Sequence, residues 1–76
     1  MNIKSFRAQV ESLSTHVLFE YNGQNCGVDP VNHQLFYIWC GENCAEAKSI
    51  GEVFELPIFD GKSLTDIYEK ITNIEY

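Results

Sequence analysis

Positive charge is scarce in this sequence. Five Lys and Arg residues stand against eleven Asp and Glu in 76 residues, for a formal net charge of −6. The five cations are never adjacent, so no basic stripe is available to neutralise a phosphate backbone, and direct nucleic-acid binding is not expected. Long apolar runs are missing too. No segment approaches the roughly 18 apolar residues of a membrane-spanning helix, so no membrane partner is expected. Ile3 to Leu13 alternates apolar with polar or charged residues, unlike the unbroken apolar stretch of an export signal. Cysteine is sparse and odd in number, with three in the chain, which suits a reducing compartment better than a disulfide framework. A cytoplasmic protein is the expectation.

Catalytic signatures are also lacking. There is no Gly-x-Ser-x-Gly elbow, and Ser12, Ser14, Ser49 and Ser63 are accounted for by helix ends. The acids between Glu42 and Glu55 do not have the spacing of a calcium loop. His16 falls opposite Asp29 in the hairpin described below, a carboxylate–imidazole pair of the kind hydrolases use, yet no nucleophile accompanies it. The reading is a protein that is not an enzyme and that uses no cofactor.

What is present is core-forming material. The chain is 45% hydrophobic and 13% aromatic, too rich for the compositional signature of disorder. A single α+β domain over residues 1–76 is expected, burying about 60% of the surface its unfolded chain would expose. Charge is uneven along it. Residues 40–76 carry eight acids against Lys48, Lys62 and Lys70, a balance that suits solubility or a basic protein partner.

Order along the chain begins with Ile3, Phe6, Val10 and Leu13, spaced for one face of an amphipathic helix. After Ser14-Thr15 the apolar period becomes two. Tyr21-Asn22-Gly23-Gln24 then gives a two-residue type I′ turn, because both central positions need positive φ and Asn-Gly supplies it. That turn fixes a register. Phe19 pairs with Cys26 and Val17 with Val28 on one face, with Glu20/Asn25, Leu18/Gly27 and His16/Asp29 on the other. The second strand is expected to stop at Pro30, which has no N–H to donate.

Leu35 to Cys40 is the densest apolar and aromatic run and reads as a third strand. Phe36, Ile38 and Cys40 are assigned to the core and Leu35, Tyr37 and Trp39 to the other face, where Tyr and Trp can satisfy their polar atoms. Gly41 to Lys48 reads as a polar or partly helical connector. Ser49 with Glu52 three residues on opens a short helix by the capping-box pattern, and Leu56-Pro57 ends it. Asp60-Gly61-Lys62 is a turn. Ser63 to Asp66 starts a last helix whose stripe is Leu64, Ile67, Tyr68, Ile71 and Ile74. The expected fold is a two-layer, three-stranded antiparallel meander with helices packed on one face, in the order α-β-β-β-α-α. Its αβββα core order resembles double-stranded-RNA-binding domains in topology, but Asp66, Glu69 and Glu75 occupy the final helix where such domains place cations.

Two constellations remain. If helices cover the Val17, Phe19, Val28, Phe36 and Ile38 face, then Leu18, Tyr37 and Trp39 stand on an uncovered sheet face interleaved with charged residues, a docking surface for a protein partner or for self-association. A helix over residues 49–56 wrapping round to bury Trp39 is the competing arrangement. The other constellation is Cys26, His33, Cys40 and Cys44, four soft or borderline ligands that a meander could gather round zinc, the basis of an alternative metal-binding or redox role. The Cys40/Cys44 spacing is not that of the usual zinc knuckle or of a thioredoxin motif. A non-enzymatic interaction or regulatory module is the leading expectation.

Overall fold

Asn22 and Gly23 adopt φ of 52° and 75°, the paired positive values of a type I′ turn. The strands they join, β1 (Val17–Tyr21) and β2 (Gln24–Asn32), pair antiparallel with Tyr21 opposite Gln24, Phe19 opposite Cys26 and Val17 opposite Val28. This is the register expected from the turn. It comes from a computed structural model that describes residues 3–13 and 16–75, so the Ser14-Thr15 connection lies outside the described residues.

The α+β class holds, but the sheet has five antiparallel strands in the order β4-β3-β2-β1-β5, not three. β3 (Leu35–Cys40) has the expected bounds. It is followed by β4 (Asn43–Ala47) rather than a loop, with Cys40 opposite Asn43. The turn between them has Gly41 at φ 60° and Glu42 at ordinary negative φ, the type II′ arrangement in which glycine takes the first central position. The fifth strand, β5 (Thr72–Glu75), lies along β1 at the other edge. Helical geometry in the last segment is confined to α3 (Leu64–Ile67) and a 3₁₀ turn over Tyr68–Lys70. The element order is therefore α-β-β-β-β-α-α with a closing strand, correcting α-β-β-β-α-α.

Pro30 does not stop β2; it is buried within it, opposite Phe36. β1 ends opposite Val28, so the flank of β2 beyond that point has no strand neighbour among the described residues and a missing N–H is tolerated there. The extra residue accommodated between Pro30 and Asn32 is Val31, which is 50% exposed.

Helix α1 is Ile3–Glu11. Its Phe6 is wholly buried and meets Phe19 of β1 and Phe54 edge-on, at centroid separations of 5.9 and 6.0 Å. Phe54 belongs to α2 (Ile50–Glu55), whose N-cap Ser49 accepts from the Glu52 N–H. Glu52 reaches back one residue further than the simple capping box, to the Lys48 N–H. Leu56 leaves the helix at ψ 130° before Pro57. Phe59 and Lys62 bridge across Asp60-Gly61, a second type I′ turn with φ of 56° and 79°. It sits against the first, Asn22 Nδ2 donating to Asp60 Oδ2 at 3.4 Å. Ser63 and Asp66 form a reciprocal capping box at the start of α3, which places Leu64 and Ile67 in the core. Tyr68 packs its ring edge-on to Phe6 at 5.4 Å, and among the described residues its buried hydroxyl has no hydrogen-bond partner.

Candidate functional site

Strand alternation sorts the sheet into a core side and an open side. Val17, Phe19, Tyr21, Cys26, Val28, Phe36, Ile38, Cys40 and Ala47 are buried. The alternate positions form rows across the other side. One row runs Glu75, Leu18, Gly27, Trp39, Cys44 from β5 to β4, each opposed to the next. A neighbouring row is Asp29, Tyr37, Glu46, and another places Glu20 beside Asn25. Leu18, Tyr37 and Trp39 thus share one face. Leu18 and Trp39 are half-buried, Tyr37 is 43% exposed, and all three lie outside the hydrophobic core. Trp39 is not covered by α2, whose buried residues Val53 and Phe54 belong to the core on the other side.

Gly27 explains how the indole is seated. A Cβ built on Gly27 would lie 2.4 Å from Trp39 Cζ2 and 2.7 and 2.9 Å from its bonded neighbours Cη2 and Cε2. Distances that rise so little from one ring atom to the next place that point above the ring plane rather than at its edge. The six-membered ring therefore lies face-on over the glycine, and its opposite face turns outward. Any side chain at position 27 would occupy the indole's seat, a case where glycine in a strand marks a close approach.

Beside the indole is a shallow cavity of about 170 Å³ lined on this face by Leu18, Glu20, Asn25, Trp39, Asn73 and Glu75. Glu20 is fixed there, because Asn73 Nδ2 donates to its Oε2 at 2.7 Å. Asn73 reaches it from a left-handed backbone, φ 54°, where β5 follows an irregularity in its pairing with β1. This half of the site has no local sequence signal, because the spacing of Ile67, Ile71 and Ile74 predicts helix where β5 forms. A usable signal was Gly27 itself, a glycine inside an otherwise regular strand and opposite Leu18.

The charges that the strands themselves place on this face have one sign. Glu20, Asp29, Glu46 and Glu75 all stand on it, and none of the five strands contains a Lys or Arg. The nearest cation in sequence, Lys48 after β4, places Nζ 3.3 Å from Glu46 Oε2 in an exposed pair.

The four proposed metal ligands are not brought together. Cys26 and Cys40 are directly opposed across β2 and β3 and both buried. Cys44 is opposed to Trp39 and exposed on the other face, as alternation requires for a residue one past Cys40's own partner, Asn43. His33 is at the far turn, with Nε2 3.1 Å from the Glu11 carbonyl oxygen. Among the described residues no group of three or more His, Cys, Asp and Glu side chains is placed to hold a metal ion. The two core thiols share Gln24 as acceptor: Cys40 Sγ donates to its Oε1 at 3.2 Å and Cys26 Sγ to its carbonyl oxygen at 3.6 Å. Burial, reinforced by the neighbouring Cys40, pushes the Cys26 thiol up from its usual 9.0 to about 12. A thiol so held packs as a small hydrophobe.

His16 and Asp29 are both exposed, and no hydrogen bond or ion pair joins them. Asp29 instead stands opposite Tyr37. Among the described residues no helix is long and apolar enough to cross a membrane. Comparison with known protein families, with curated proteins and with solved structures gave no match to this chain.

Proposed function

We propose that this chain is a non-enzymatic interaction module of two layers, in which helices cover one side of the sheet and the other side docks a protein partner through Leu18, Tyr37 and Trp39. The observation that carries this reading is the outward-facing indole of Trp39, pinned over Gly27 and set beside the exposed Tyr37. Aromatic side chains held in one position contribute binding energy at little cost in ordering. The surrounding carboxylates give the face a preferred partner. Glu20, Asp29, Glu46 and Glu75 favour a basic surface and disfavour two copies of this chain meeting face to face, since like charges would be juxtaposed. A heterologous basic protein is therefore favoured over self-association, and nucleic acid and membrane are not the partners.

Affinity capture from native lysate tests this, comparing the wild-type chain with a Leu18→Ala/Tyr37→Ala/Trp39→Ala variant of unchanged circular dichroism. A partner retained by the wild type and lost by the variant is the expected result, with wild-type sedimentation as a monomer at the same concentration. Equal capture by both proteins removes the open face as the docking site.

A further inference from the structure

The cavity beside Trp39 carries a more specific assignment, which rests on the docking reading above. We propose that it receives an arginine side chain of the partner, with the guanidinium stacked on the outward face of the Trp39 indole and its N–H groups directed to the carboxylates of Glu20 and Glu75. The components are an aromatic face, two carboxylates and an aliphatic wall. One face of the indole is taken by Gly27, leaving the other to a cation, and indole is the strongest of the aromatic cation acceptors. Glu20 and Glu75 line the same cavity from β1 and β5. Asn73 holds Glu20 by Oε2 alone, so Oε1 is oriented and still able to accept. Leu18, between Glu75 and Gly27 in its row, supplies apolar surface for the methylene stem. The planar guanidinium satisfies stacking and carboxylate pairing together, which a lysine ammonium does not.

Among the described residues no arginine fills this role. Its single arginine, Arg7, is on α1, with Nε 3.3 Å from Glu11 Oε1 and its guanidinium 5.7 Å from the centre of the Phe54 ring. A partner's arginine is the cation the cavity would take.

Trp39 is the chain's one tryptophan, so its emission reports this cavity directly. The test titrates the full chain with the capped tripeptide Gly-Arg-Gly and with its citrulline counterpart, which keeps the planar shape and loses the charge. Saturable change in Trp39 emission with the arginine peptide is expected. The citrulline peptide should bind at least about fivefold more weakly, and a Glu20→Gln/Glu75→Gln variant should show a smaller difference between the two peptides, the cation–π part remaining. Equal response to the two peptides, or no saturable response to arginine, overturns the assignment. The two readings separate cleanly in the capture experiment. A partner lost on the triple alanine substitution but kept by Glu20→Gln/Glu75→Gln leaves the docking face and overturns the arginine site, whereas arginine-peptide binding without any face-dependent partner does the reverse.

Discussion

The six-membered ring of Trp39 rests face-on over Gly27, the residue directly opposite it on the neighbouring strand. The contact joins sequence to function by one physical step: a strand residue without a side chain leaves a gap in the row, and the largest neighbouring side chain lies down into it. Gly27→Ala should expel the ring. Even the first added carbon would lie 2.4 Å from Cζ2, so the expected cost is about 1–3 kcal/mol, reduced slightly by alanine's lower backbone entropy. Denaturant unfolding followed by tryptophan emission checks both halves, stability and a red-shifted native spectrum. In a Trp39→Ala background, with unfolding followed by circular dichroism because no tryptophan remains, the same substitution should cost little, and equal costs in the two backgrounds would sink the seat.

Cys44 should react with thiol reagents within the dead time of a mixing experiment, while Cys26 and Cys40 wait for unfolding. Cys44 is exposed and the other two are buried, facing each other across β2 and β3. Alkylation of the native protein followed by peptide mapping separates the three. Rapid native labelling of Cys26 would mean that β2 is shifted by one residue and that the core and open faces are exchanged.

The parts of this arrangement that were legible in the sequence are those decided locally. Asn22-Gly23 sets the first hairpin because few residue pairs accept two positive φ values. The aromatic alternation from Leu35 to Cys40 then placed Trp39 and Tyr37 opposite the core. β4 was not legible for the converse reason. Asn43-Cys44-Ala45-Glu46-Ala47 has no β-branched or aromatic residue, and its strand form is imposed by pairing with β3 rather than by propensity. Gly41 was the available clue, as the first central residue of a type II′ turn. At the other edge, Ile67, Ile71 and Ile74 have helical spacing, but the vacant flank of β1 takes up Thr72–Glu75 as a strand. That exchange delivers Asn73 and Glu75 to the cavity, so half of the candidate site depended on a tertiary contact with no local signature.

Tyr68→Phe should leave the fold intact and raise its stability by about 1 kcal/mol. The hydroxyl is buried with no partner among the described residues, and an unsatisfied polar group costs its desolvation without return. The ring contact with Phe6 at 5.4 Å is available to phenylalanine unchanged. Thermal unfolding of the two proteins decides it; a clear loss of stability would show that the hydroxyl has a partner in solution.

Alkaline pH should unfold the protein through Cys26. Its thiol stays protonated in the folded state up to about 12, against 9.0 for the ordinary group, mainly because burial disfavours the thiolate. Below 9.0 both folded and unfolded chains carry the proton, and this contribution to stability is complete. Above it the unfolded chain releases the proton while the folded chain cannot, so the unfolded state binds fewer protons and stability falls by up to about 1.4 kcal/mol per pH unit until the folded pKa is reached. Burial raises the Tyr68 phenol in the same direction, so the comparison is best made in the Tyr68→Phe background. There, Cys26→Ala should lower stability at neutral pH through lost packing and flatten the decline between about pH 9 and 11. Urea unfolding at intervals across that range reads the slope directly, and a slope unchanged by Cys26→Ala would place the alkaline sensitivity elsewhere.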